Sequence, residues 1–261
     1  MALPKAILCI LGNEPAEHPA EAELRSVGFA TFSVTWRELD AQQNGWIQLL
    51  PPLNDQTVNA WVIVGKPDDF TDEIRSKIAM LTLALDRKKP PLTIFSLTED
   101  GEIQDVPQML EHVQIFGKNK KYAAKLIAKR SQLPEFPERP FHIKSHLNPL
   151  IGAWLEIGPP ENSTWSGFMA GVTSAEVVAF GVGPRGILPN TSSLQFPRLG
   201  IQGTLGEKDF SACAAKNELT SEISCYMRLD GCPGLVFCAE YLEDDGEQQR
   251  QNRTPVQLEL I

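Results

Sequence analysis

The chain has 261 residues, 42% of them hydrophobic and 22% charged, with a formal charge of -9. That composition suits a globular protein with room for about two domains. The acidic balance excludes a general nucleic-acid binder or a protein held on an anionic membrane. With no apolar run long enough for a signal-peptide core or a membrane span, a cytoplasmic protein is expected.

Lys5 to Leu11 reads as a first central strand, broken at Gly12-Asn13-Glu14-Pro15. Pro19 to Val27 is a short helix ended by Gly28, Phe29 to Trp36 a second strand, and Arg37 to Leu50 includes a helix carrying Trp46, Ile47, Leu49 and Leu50, closed by Pro51-Pro52. Val58 to Asp100 is the stretch around which this half of the chain is organised. Asn59 to Val64 is a nearly unbroken apolar run, as for a strand covered on both faces. Thr71 caps the next helix, with Asp72 and Glu73 in its first turn and Arg87, Lys88 and Lys89 in its last. Ile74, Ile78, Leu81 and Leu85 form its apolar stripe, Pro90-Pro91 stop it, and Leu92 to Leu97 returns as a second buried strand. Val106 to Glu111 reads as a short helix, His112 to Phe116 as a fifth strand and Asn119 to Arg130 as a closing helix.

Strands alternating with helices at this pace predict an α/β domain over residues 1–131, a doubly wound parallel five-stranded sheet of the flavodoxin type. A proline-rich linker comes next at 132–140. Beyond it, short strand-like runs separated by Gly, Pro, Asn or Ser predict an all-β domain over 141–243, a sandwich or a rolled sheet, and then a polar tail over 244–261 in which Val256 to Ile261 can add a strand. In this second domain only Phe210 to Leu219 reads as helical.

Residues 5–131 resemble a bacterial Toll/interleukin receptor (TIR) domain. The likeness lies in the order of pieces: KAILCIL, Trp46 ahead of VNAWVIVG, the crossover helix, basic residues before PPLTIFSL, then DVPQML and HVQIF before the closing helix. Many TIR domains cleave NAD with a glutamate about one turn inside the helix after the third strand. This chain places Lys77 there, and Gly65 stands where the family has a serine. TIR domains without the glutamate act as protein-interaction modules, and that is what the resemblance implies. Receiver domains share the strand order, and Glu14, Ser96 and Lys118 could fill three of their roles. They also need an aspartate ending the third strand, and Asp68 lies three residues too late.

The expected function is therefore a non-catalytic interaction or signalling module. Its TIR-like domain self-associates or docks on a protein partner, its β domain senses or recruits, and it uses no cofactor, nucleic acid or membrane. The alternative is an NAD glycohydrolase with Glu73 as catalytic residue and Gly12, Asn13, Gly65, Asp68 and Phe70 around the cofactor at the sheet's carboxyl edge. A second alternative is a structural component of a bacterial assembly.

The remaining motifs have plainer readings. Gly12-Asn13-Glu14 has one glycine where a dinucleotide loop has three. Lys118, Lys120, Lys121, Lys125, Lys129 and Arg130 read as a solvated helix face. No metal is expected, because the five cysteines lack zinc spacing and His18, His112, His142 and His146 are scattered. The odd cysteine count suits reduced buried thiols, and a hairpin turn at Gly231-Cys232 would set Cys225 opposite Cys238 in the core. The segment from Gly181 to Gly186, with Arg185, reads first as a turn and second as an anion or peptide site. Trp154, Trp165 and Phe168 read as core.

Overall fold

The computed structural model describes residues 3–12, 18–85, 93–98, 114–117, 139–240 and 256–260. It divides into two compact units, Met1–Pro137 and Glu138–Ile261. Asn13, Glu14, the helices expected at 106–111 and 119–130, the lysine cluster from Lys118 to Arg130, and nearly all of the linker lie outside the described residues.

In the first unit, β1 (Lys5–Ile10), β2 (Ala30–Thr35), β3 (Val58–Gly65), β4 (Thr93–Thr98) and β5 (Gln114–Gly117) pair in parallel in the order β2-β1-β3-β4-β5. Helix α1 (Pro19–Ser26) starts with the His18 Nδ1 accepting from Ala20 N at 3.1 Å, and Gly28, at φ 91°, turns the chain out of it. Its Ala20 and Leu24 pack on Ala6, Leu8, Ile10, Ala60, Val62 and Val64. Ile7, Cys9, Trp61 and Ile63, on the other face, are equally buried, which is why β1 and β3 read as continuous apolar runs.

The link from β2 to β3 is not one helix. It is α2 (Trp36–Asp40), a 3-10 turn over Gly45–Leu49 and α3 (Leu50–Leu53), where the prolines expected to close a helix sit in the first turn of a new one. Helix α4 (Asp72–Ala84) is capped by Thr71, whose hydroxyl accepts from Ile74 N. It buries every residue from Ser76 to Leu83 rather than a single stripe.

The expected class, α/β with a doubly wound sheet, is corrected. The chain is mostly β: of fourteen described strands, nine lie in two antiparallel sheets of the second unit. A doubly wound sheet asks for a full crossover helix in each connection, and among the described residues only α1 and α4 reach eight residues. No described helix is long and apolar enough to cross a membrane.

The second unit holds one sheet of β6 (His142–Asn148), β7 (Gly152–Gly158), β12 (Ile223–Gly231) and β9 (Ala175–Pro184) in that order. The other sheet runs β10 (Arg198–Leu205), β11 (Lys208–Ala215), β8 (Phe168–Thr173), β13 (Leu235–Glu240) and β14 (Val256–Glu259). All pairings are antiparallel.

Phe210 to Leu219, expected as a helix, is instead mostly strand β11. Ser211, Cys213 and Ala215 alternate with Ala212 and Ala214, and all five are buried, so the period of two is invisible in the sequence. The hairpin expected to set Cys225 against Cys238 does not exist either. β12 and β13 belong to different sheets. The thiols meet by another route: Cys213 and Cys238 are both in register with Ala170 on β8, and Cys225 reaches in from the opposite sheet to hydrogen-bond Cys213.

Candidate functional site

The carboxyl edge of β1 and β3 is where an open parallel sheet would take a ligand. Here the chain fills it. A methyl group on Gly12 would meet Asp69 Oδ2 at 3.0 Å, and one on Gly65 would meet Leu11 Cβ at 3.1 Å and Asp69 Cβ at 3.2 Å. The two glycines therefore make room for Asp69, whose Oδ2 accepts from Lys66 N at 2.7 Å.

Of the other residues expected at that edge, Asp68 is exposed and Phe70 is buried with 6% of its surface accessible, so neither presents a stacking or binding face. The Glu73 side chain is 64% exposed and pairs with Lys77 Nζ at 2.7 Å. Lys77, in the family's glutamate position, is buried and also donates to Asp40 Oδ1 at 2.7 Å. Burial pulls the Lys77 pKa down, but the two carboxylates outweigh it and hold the ammonium above its ordinary value.

A denser polar constellation lies in the second unit, on the four-stranded sheet. Cys225 points inward to Cys213 and is in register with Ile157, itself in register with Ile143, so these residues mark the inner face. The alternate residues mark the outer one. Three rows cross it: His142, Gly158, Ser224, Gly183; then Lys144, Glu156, Tyr226, Gly181; then His146, Trp154, Arg228, Ala179.

Glu156 is the centre of these rows and is wholly buried. Its Oε1 accepts from His142 Nε2 at 3.0 Å and from Gly186 N at 2.9 Å, and its Oε2 from His146 Nε2 at 2.7 Å. Burial alone would raise its pKa; the two imidazole donors and the Gly186 N–H reverse the shift and hold the carboxyl well below the usual range. An ionised carboxylate only accepts, so both rings turn an Nε2–H toward it.

The Gly186 turn is the start of a strap that folds back over β9. Tyr226 donates its hydroxyl to Pro184 O and accepts from Ile187 N at 3.2 Å. Burial and the nearby Glu156 charge push the Tyr226 phenol above its ordinary value, so it stays a donor. Arg185 donates from Nη2 to Pro159 O at 2.8 Å and Thr220 O at 2.9 Å, lying where a side chain at Gly158 would be. Further along, Ser192 Oγ accepts from Val182 N at 2.7 Å, and Pro189 rests on Gly183.

Of the two readings of the Gly181 to Gly186 segment, the turn describes what Arg185 does here. Its Nη2 bonds go to backbone carbonyls, not outward. His142 and His146 are scattered in no spatial sense: four residues apart on a strand, they share a face and one acceptor. Glu156 is absent from the residues that sequence reasoning selects; its legible signal is a charged residue among apolar ones in the run from Trp154 to Ile157. Trp154, expected in the core, lies half-buried on the outer face, while Phe168 is fully buried and Trp165 half-buried in a bridge to Leu219.

The strap covers the β9 and β12 side of this face. On the β6 and β7 side, His142 and His146 keep 27% and 17% of their side-chain surface, Lys144 and Trp154 are half-buried, and the neighbouring Arg228 is exposed. Across the described residues no group of three or more His, Cys, Asp or Glu side chains is placed to hold a metal ion. No protein-family model, curated protein or solved structure matches the chain.

Proposed function

We propose that this is a cytoplasmic, non-catalytic interaction or signalling protein. The first unit, TIR-like in the order of its pieces, self-associates or docks on a partner. The second, a β-sandwich of two antiparallel sheets, senses or recruits. The observation that carries the reading is Asp69: a nucleotide's phosphates at the edge of β1 and β3 would meet a fixed carboxylate instead of free backbone N–H groups. Glu73 supports it, since a nucleophile or base held in solvent by an ammonium lacks the burial that tunes such groups.

Two measurements on the purified chain test this. Size-exclusion chromatography with light scattering is expected to give a mass above that of one chain, or a complex once a partner is added. NAD followed by chromatography is expected to stay intact with both the natural chain and Glu73→Ala. Cleavage by the natural chain that vanishes in Glu73→Ala would replace this reading with an NAD glycohydrolase.

A further inference from the structure

Between residues 141 and 240 the chain has six basic residues, Lys144, Arg185, Arg198, Lys208, Lys216 and Arg228, against nine acidic ones. Three of the six, Lys144, Arg185 and Arg228, gather on or over the outer face of the four-stranded sheet, together with both histidines of the unit. The carboxylate within the three rows is Glu156, which is sealed from solvent and satisfied by its own donors. What this face offers outward is therefore cationic and donor-rich, on a chain that is acidic as a whole. Arg185 is tied down, but among the described residues Lys144 and Arg228 form no ion pair.

Next to the row of His146, Trp154 and Arg228 stands the β6–β7 turn, where Leu150 is 94% exposed and Ile151 47% exposed. Asn148 fixes this turn by accepting Leu150 N at 2.8 Å, so the apolar tip is held rather than trailing.

We propose that the open side of this face, Lys144, His146, Trp154 and Arg228 with Leu150 and Ile151 at its end, is the docking surface for a short acidic segment of a protein partner. The proposal rests on the reading of the chain as an interaction module, and names the surface and its ligand chemistry. Charge complementarity selects the occupant. Lys144 and Arg228 lie two rows and two strands apart, a spacing that suits carboxylates along one peptide, while the indole and the leucine supply an apolar seat for a side chain between them. A long polyanion or an anionic bilayer would also meet the rest of an acidic surface, including Asp230 and Glu176 paired at the far end of the sheet, and would be repelled.

The test is fluorescence anisotropy with a labelled octapeptide alternating aspartate and leucine, titrated with the full chain, and with a lysine–leucine octapeptide as control. Lys144→Glu combined with Arg228→Glu changes the charge without touching buried groups, and Trp154→Phe keeps the apolar seat while removing the indole reporter. We expect the acidic peptide to bind below about 1 mM and the basic one not at all. Raising salt should weaken binding, and the double charge reversal should weaken it about tenfold. The intrinsic fluorescence change on binding should disappear in Trp154→Phe. No binding at that concentration, equal binding by the charge-reversed chain, or tighter binding to phosphatidylserine vesicles than to the peptide would overturn the proposal. NAD cleavage with peptide binding intact would remove only the non-catalytic reading; loss of peptide binding without NAD cleavage would remove only the docking surface.

Discussion

His146 donates from Nε2 to Glu156 Oε2 across 2.7 Å, joining a partly exposed ring on an edge strand to a carboxylate with no exposed surface. A buried carboxylate is tolerated only when its lone pairs are filled, and here two imidazoles and a backbone N–H fill them. Glu156→Gln keeps the shape but turns an acceptor pair into one acceptor and one donor, so a donor now faces a donor. We expect a loss of about 2 to 4 kcal/mol in the second unit, read as a lowered denaturant midpoint with unchanged slope.

The same group sets an acid limit. Its folded-state pKa lies below the ordinary 4.5, so the ionised form is favoured by folding. Its stabilisation is fully present above pH 4.5 and is lost as the pH falls below that value toward the folded pKa. Thermal midpoints measured down through this range should fall more steeply for the natural chain than for Glu156→Gln. Parallel curves would show that the carboxylate's charge is not what the site holds.

Gly183 and Gly186 are both on the strap side of the face but for different reasons. A Cβ on Gly183 would lie 2.7 Å from Pro189 Cβ, whereas Gly186 has open space and a φ of 84°. Gly183→Ala should push the strap off β9 and cost about 1 to 3 kcal/mol, with faster hydrogen exchange at Val182. Gly186→Ala should cost about 1 kcal/mol through backbone strain alone and leave exchange at Val182 unchanged.

Lys77 has an alkaline counterpart. Its folded pKa is raised above 10.5 by Asp40 and Glu73, so its contribution is whole below that value and is lost as the pH rises beyond it. Lys77→Met should remove this alkaline loss while keeping much of the packing. Glu73→Ala should cost under about 0.5 kcal/mol, because its carboxylate is mainly in water.

Burial pushes the Cys9 and Cys238 thiols up to about 12 and the Cys225 thiol upward as well, leaving little thiolate to react. Cys232 is the one cysteine that is not buried. An aromatic disulfide reagent should therefore label one thiol rapidly in the folded chain and all five in denaturant. Cys232→Ser should abolish the fast phase; a fast phase that survives would mean that the core opens on the same timescale.

The chain order of the parallel strands in the first unit was legible, because runs such as Val58 to Val64 are apolar on both faces and are bounded by glycine and proline. The class was not, because the balance between helix and strand depends on connections that residue patterns leave open. Pro51-Pro52 starts a turn of helix instead of ending one, and Phe210 to Ala215 has no visible period when both faces are covered. At the outer face, local sequence determined that His142, Lys144 and His146 share one side of a strand, since side chains alternate. Only the antiparallel register of β7, β12 and β9 decided that Glu156 would lie between the two rings, with Tyr226 beside it and Gly186 above. Those partners come from positions 10 to 70 residues apart, and burial supplies the low dielectric that turns a solvated carboxylate into the anchor of a strap.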